Sequence, residues 1–287
     1  MTEKPQTPKT TEYIARVQAI AAEHKARTPA VTPPAAETKP QLPLWPDLER
    51  AIPNHLARTC LFAPIGRGRR KMHDGTQLAS PQGTSVTFSG KQLDMADQDV
   101  FLQAMHIAKN SPLGTPIMVN RARFLAEIGR TDGKSAYDWL DESFGRQVGA
   151  TLTLETDRIK AHLPLVAGWI QDKESGNFQI TMHPEVVKLF SRQEYSLIDW
   201  ELRKQITRRV DLSKWLQTYV ASHSPGATHS ISVSHLKDWC GNSGRARDFR
   251  SALGEALEEL ERLSLIANHK FYRNDIMVQW FRPKTSA

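Results

Sequence analysis

Arg245, Arg247 and Arg250 are spaced along one stretch of chain so that their guanidinium groups can grip phosphate oxygens or the edges of bases. They open the segment SGRARDFRSALGEALEELERLSLI, where Phe249, Leu253, Ala256, Leu257, Leu260 and Leu263 recur at helical spacing and leave one face free. That face is polarised: the arginines crowd its first turns, and Glu255, Glu258, Glu259 and Glu261 fill its second half. A helix macrodipole prefers the opposite order, so helix stability is a poor reason for the arginines. Recognition helices enter the major groove by their N-terminal end, which is a better one. Base reading is accordingly assigned to Arg245, Arg247, Arg250 and Ser251. The plain alternative is an amphipathic helix with an ordinary solvated face, and the glutamates read most simply as solvated surface.

Elsewhere the residues with chemical potential mostly exclude activities. Gly133-Lys134-Ser135 resembles the end of a phosphate-cradling loop, but residue 128 is Ile where that loop needs glycine, and the preceding segment reads as helix. Lys134, Ser135 and Tyr137 fit better at a helix N-terminus, which suits a backbone phosphate. The ten histidines include no His-x-His pair, so Tyr195, Tyr219 and Tyr272 lack the metal-bound partner a nicking nucleophile needs. Neither Gly-x-Ser-x-Gly nor a comparable nucleophile motif occurs. Cys60 and Cys240, the two cysteines, allow neither a disulfide framework nor a cysteine-rich zinc site. No catalytic residue, metal or cofactor is expected. The remaining basic groups suit DNA backbone: Arg203 and Lys204, with Arg208 and Arg209 close by, and Lys270 and Arg273 near the C-terminus. The loop GRGRRK, with Arg67, Arg69, Arg70 and Lys71, suits phosphates or a narrow minor groove, and equally a solubilising role.

These side chains need a frame. Val233 to Cys240 reads as a short helix, Arg245 to Ser264 as a longer one, and Leu265 to Phe281 as a hairpin around Arg273-Asn274-Asp275: helix, turn, helix and wing. A helix over Leu202 to Ser222 precedes them. The first half repeats that order. Asp94 to Lys109 is a helix closed by Asn110-Ser111-Pro112, Asn120 caps a second that ends at Gly129, and a third runs from Lys134 to about Arg146. The strand-like stretches ATLTLET, HLPLVAGWIQDK and FQITMHP follow, with a turn at Ser175-Gly176-Asn177. A small sheet over Leu61 to about Leu93 leads into this half. The repeat is one of element order, with little identity between the copies, and the expected fold is α+β: tandem winged-helix domains at residues 61–190 and 191–287.

The 38 lysines and arginines exceed the 31 acidic residues, giving a net charge of +7, which favours a polyanionic partner. Residues 1–40 are rich in Pro, Thr, Ala and Lys, with Tyr13 as the only aromatic, and are expected to be a disordered tail with at most a short helix over Glu12 to Arg27. No apolar run is long enough to span a membrane and no signal sequence is evident, so a reducing cytoplasm is expected. Where tail meets body, Gln41-Leu42-Pro43-Leu44-Trp45 interleaves apolar anchors with proline. Such a peptide suits docking into a preformed groove, or a strap packed on the protein's own body.

In LPLWPD, PNHLARTCLF, SVTFSGKQLDMADQDVF and LKDWCGNSGRARDFRSALGEALEELERLSLI the chain resembles plasmid replication initiators of the TrfA type, over about Gln41 to Arg282. The resemblance implies a bacterial, non-enzymatic protein that binds double-stranded iterons in a plasmid origin and helps open the adjacent A·T-rich duplex. It further implies single-stranded DNA, the host initiator and helicase, and the sliding clamp as partners, and a balance between DNA-binding monomers and stored dimers. In this family a QL(S/D)LF-like pentapeptide docks on the clamp. Gln41, Leu42 and Leu44 match it position by position, Trp45 keeps the aromatic and Pro43 departs, so residues 41–60 are expected to be a clamp-binding peptide and linker. A winged-helix repressor of its own operator is the alternative.

Overall fold

A computed structural model describes residues 40–65 and 70–284; the segment Glu12 to Arg27, the rest of the tail before Pro40, and Arg67 and Arg69 lie outside the described residues. The chain enters through β1 (Glu49–Pro53), α1 (Asn54–Ala57), β2 (Phe62–Ala63), β3 (Met72–Leu78), β4 (Thr84–Lys91) and β5 (Leu93–Asp94). The first module then runs α2 (Met95–Ala108), β6 (Ile117–Val119), α3 (Arg121–Glu127), α4 (Lys134–Val148), β7 (Thr151–Thr156), β8 (Lys160–Pro164), β9 (Val166–Gln171) and β10 (Phe178–Met182). A 3-10 segment, Pro184–Gln193, and β11 (Tyr195–Asp199) lead to the second: α5 (Trp200–Lys204), α6 (Val210–Ala221), β12 (Thr228–Ser232), α7 (Val233–Trp239), α8 (Ala246–Arg262), β13 (Ala267–Tyr272) and β14 (Met277–Phe281).

The repeated order becomes a repeated topology. Strand order is β6-β10-β9 in the first module and β12-β14-β13 in the second, so in each the strand before the helix pair lies against the returning strand of the wing. The fold is α+β with two tandem winged-helix units. The first copy carries an addition: β7 and β8 leave the wing and extend the entry hairpin into a four-stranded antiparallel sheet, β3-β4-β7-β8. The small sheet expected over Leu61 to Leu93 is therefore half of a larger one, completed from beyond α4. Its inner face supplies Val86, Phe88, Leu152, Leu154 and Leu163 to the core.

The copies are tied together. β1 pairs antiparallel with β11, Ala51 opposite Leu197, so the segment entering the first module and the segment leaving it share one ribbon. One apolar cluster runs from Leu42 through Phe101 and Phe144 to Trp215, Leu257 and Trp280. At its centre lies α2, whose Val100, Phe101, Leu102, Ala104 and Met105 are buried together with Asp97, Gln98, Asp99 and Gln103. Asp94 and Asp97 close its N-terminus by exchanging backbone and side-chain hydrogen bonds.

The helix expected over Leu202 to Ser222 is two. α5 stops at Lys204, α6 starts at Val210, and Arg209 between them takes a left-handed conformation with φ 43°. The break is imposed by another helix. The Glu259 carboxylate on α8 accepts the Thr207 and Arg208 backbone N–H groups at 2.6 and 3.2 Å, where a continuous helix would direct them to its own carbonyls.

Candidate nucleic-acid interface

α8 begins at Arg245, which has extended backbone (φ −65°, ψ 143°) and no side-chain cap, so the first N–H groups of the helix face outward. Arg245, Arg247 and Ser251 are exposed around that end. Arg250 is not free in the same way. Its Nη2 donates to Asp275 Oδ1 at 3.0 Å, and its guanidinium lies 4.3 Å from the centre of the Phe271 ring. Arg250, expected at a base edge, braces the helix against the wing with its side chain still 40% exposed. At the wing tip, Arg273, Asn274 and Asp275 all have positive φ, and Lys270 and Arg273 are exposed.

The glutamates of α8 are more than solvated surface. Glu259 is fully buried and also takes the Arg262 guanidinium at 2.7 Å; Arg262 and the Thr207 and Arg208 N–H groups, outweighing burial, hold its carboxyl well below the usual carboxylate range. Glu255 accepts Arg209 Nε and Nη2 at 2.9 and 2.8 Å, and Glu258 lies 3.8 Å from Arg208. Glu255, Glu258 and Glu259 thus position the N-terminus of α6, and Glu261 accepts the His269 backbone N–H of β13 at 2.7 Å, which explains the charge order without reference to DNA for the glutamates, though not for the arginines.

In the first module α4 occupies the equivalent place. Gly133, at its N-cap, has φ 140°, a conformation that side-chain-bearing residues rarely adopt. It lets the chain turn into a helix whose first residues, Lys134 and Ser135, are exposed. Tyr137 is half-buried, with the Arg121 guanidinium 4.3 Å from its ring centre, and Arg121 reaches on to the wing turn at Gly176. Arg130, in the turn before α4, sits 3.6 Å from the Trp139 ring centre, and the Arg123 side chain is 83% exposed. Arg121, Arg123 and Arg130 are not among the residues expected from the sequence; their signal there is the density of basic side chains on α3 and in the turn before α4.

Two expected backbone contacts are corrected. Arg203 is 1% exposed: its Nε donates to Asp99 Oδ1 at 2.6 Å and its Nη2 to Gln98 Oε1 at 2.7 Å, so no phosphate reaches it. Burial alone pushes the Asp99 carboxyl up, but Arg203 and Lys214 reverse that and hold it below the usual carboxylate range. Arg70 is likewise spent inside the protein, donating to Asp97 Oδ2 and the Gln92 carbonyl at 2.8 Å and pairing with Asp94. Lys204 and Lys71 are exposed, Lys204 pairing with Glu201 at 2.7 Å.

The pentapeptide lies on the protein's own body. Leu42 and Trp45 are 3% and 6% exposed, against 71% for Leu44. The Trp45 indole stacks on Phe190 with 6.1 Å between ring centres, and its N–H donates to His106 Nδ1 at 3.2 Å. Lys109 Nζ donates to the Trp45 carbonyl at 2.7 Å and to Asp47 at 2.8 Å, and the Leu113 N–H to the Pro40 carbonyl. Of the two expectations for the segment, docking peptide or strap, this arrangement is the strap: two anchors are buried, the Gln41 amide donates to the Lys109 carbonyl at 3.4 Å, and Leu44 faces outward.

Residues 39–282 match the family described as TrfA protein. The plasmid replication initiator protein TrfA of Escherichia coli is 24% identical over 243 residues, covering 81% of this chain; the chain spans about 62% of that relative's length. Two solved structures share the fold. A Pi initiator protein in complex with iteron DNA superposes with a TM-score of 0.56 at 14% identity, over 85% of this chain and all of that one. Domains 2 and 3 of RctB superpose with a TM-score of 0.55 at 16% identity, over 81% and 99%.

Proposed function

The chain belongs to the TrfA protein family, and from that premise we propose that it is a plasmid replication initiator that reads iteron repeats, promotes opening of the neighbouring duplex and hands it to host replication proteins. One observation carries the DNA-reading part. Two copies of one winged-helix topology each present a helix N-terminus ringed by exposed basic side chains. Residues 61–190 and 191–287 are taken as the two reading modules. Arg245, Arg247 and Ser251 are assigned to base edges in one groove, and Lys134, Ser135 and Tyr137 to a second. Lys270 and Arg273 on the wing, and Arg121, Arg123, Arg130, Lys204 and Lys71, are assigned to phosphates.

The handover is the finer part of the proposal, with clamp, helicase, host initiator and opened single strands as partners. Clamp docking through Gln41 to Trp45 requires the strap to leave its seat, since Leu42 and Trp45 are buried. Chemistry on the DNA is not part of the reading. A repressor would use the same reading surface and recruit nothing.

A footprint on the plasmid that carries the gene, combined with permanganate probing, tests the proposal. Protection of direct repeats with new reactivity in an adjacent A·T-rich segment is the expected result. Protection of a single operator without reactivity would favour the repressor, and nicked or protein-linked DNA would end the non-enzymatic reading.

A further inference from the structure

We propose that Asp99, through Arg203, is a positioning residue that fixes the distance and twist between the two reading helices, so that the protein accepts one spacing between the two halves of its DNA site. The inference rests on the two-module reading above.

Asp97 and Asp99 lie two residues apart on α2 and point into different modules. Two residues on a helix are about 200° apart, so their side chains leave opposite sides. Asp97 holds the first reading helix: its Oδ1 accepts Ser143 Oγ at 2.7 Å and Arg146 Nη2 at 2.8 Å, both from α4. Asp99 holds the second module: it accepts Arg203 of α5 and Lys214 of α6. The Arg203 fork is nearly saturated. Beyond Asp99 and Gln98 it donates through Nη1 to Gln217 Oε1 at 3.1 Å and to the Lys214 carbonyl at 3.2 Å.

Stability is a weak reason to bury such a cluster, because replacing a buried ion pair by packed apolar groups is often neutral or favourable. Direction is a stronger one. A planar guanidinium whose donors are each aimed at a fixed acceptor holds rotation as well as distance. Three further contacts cross the same seam: Trp200 Nε1 donates to the Glu127 carbonyl at the end of α3 at 2.7 Å, Trp215 Nε1 to the Thr59 carbonyl at 3.0 Å, and Arg58 Nε to Ser222 Oγ at 2.9 Å. Each base pair inserted into B-DNA moves one half-site by roughly 3.4 Å and turns it by roughly 35°. A body held this way cannot follow that turn.

The test uses the full chain and a duplex it selects from a randomised pool, then the same duplex with one or two base pairs inserted between its halves, and each half alone. Fluorescence anisotropy reads the affinities. The unaltered chain is expected to lose about tenfold for the first insertion and up to roughly 10²-fold when the linkage between modules is broken. The double variant Asp99→Leu, Arg203→Met removes both charges without stranding either, and Lys214 can turn to solvent. It should keep the affinity for each half-site while its insertion penalty falls below about threefold. Arg203→Lys, which keeps the charge and loses the fork, should fall between, and thermal melting of both variants verifies that they are folded. An unchanged insertion penalty in the folded variants would overturn the proposal, as would an equal loss on every probe, half-sites included. An unaltered chain that bound one half as tightly as the whole site would instead overturn the two-module reading, and this inference with it.

Discussion

Arg247 and Arg250 lie three residues apart and have different neighbours. Arg247 is exposed at the reading end, whereas Arg250 is held by Asp275 and Phe271. Arg247→Ala is therefore expected to cost about 1 to 3 kcal/mol at one base pair and to relax the choice there. Binding to a panel of single-site duplex variants measures it, and a loss spread evenly over the panel would move Arg247 to a phosphate. The clustering of the arginines was legible in the chain, because residue type and spacing alone produce it. The assignment of Arg203 failed for a physical reason: its partner Asp99 lies far away in sequence, on a helix whose burial only the assembled fold determines. Arg70 fails in the same way, its acceptors Asp94 and Asp97 lying beyond the β3–β4 hairpin.

Among the elements, α4, α8 and the second wing follow from local pattern, whereas the strands after α4 divide between the first wing and the four-stranded sheet. Asn120 caps α3 by accepting the Arg123 N–H, and Gly129 and Gly133 frame the turn before α4. The break between α5 and α6 was not legible. An apolar repeat through residues 202–222 looks continuous, and what interrupts it is a carboxylate from another helix. Glu259→Ala should thus destabilise the second module by about 1 to 3 kcal/mol, by leaving the Thr207 and Arg208 N–H groups without a partner. Chemical denaturation would show it, and a loss near zero would mean that α6 holds its own N-terminus. The strap offers a sharper contrast. Trp45→Ala should cost about 3 to 5 kcal/mol, the usual penalty for emptying a buried aromatic site, and exposed Leu44→Ala about 0.5 kcal/mol or less. Equal costs would mean that the strap is not seated in solution. Composition could not separate docking peptide from strap, because both call for the same apolar anchors; the difference lies in His106, Lys109 and Phe190.

For the whole molecule, charge and protonation give two expectations. If both modules engage about 6 to 10 phosphates, affinity should drop roughly 10³- to 10⁵-fold between about 50 and 200 mM salt, and a nearly flat titration would remove most of the assigned phosphate contacts. Three histidines couple folding to acidity. Burial first, then nearby positive charge, lowers His106 and His229 to about 4 and His223 to about 3 from an ordinary 6.5. Folding therefore favours their neutral forms, and between pH 6.5 and about 3 the unfolded chain takes up protons that the folded one refuses. Stability should be full above pH 6.5 and fall as the pH drops through that window. Replacing His223 and His229 with Gln should flatten the decline, and a melting temperature that stayed constant over the window would contradict the assignment. The β1–β11 ribbon has a consequence in time. The two strands are separated by the whole first module, so at roughly 5 to 20 residues per second β1 leaves the ribosome on the order of 10 to 30 seconds before its mate exists. Through that interval the nascent chain carries an open sheet edge, and on a crowded polysome the first matching strand to arrive can belong to a neighbouring chain, so slow elongation favours entwined pairs over single molecules.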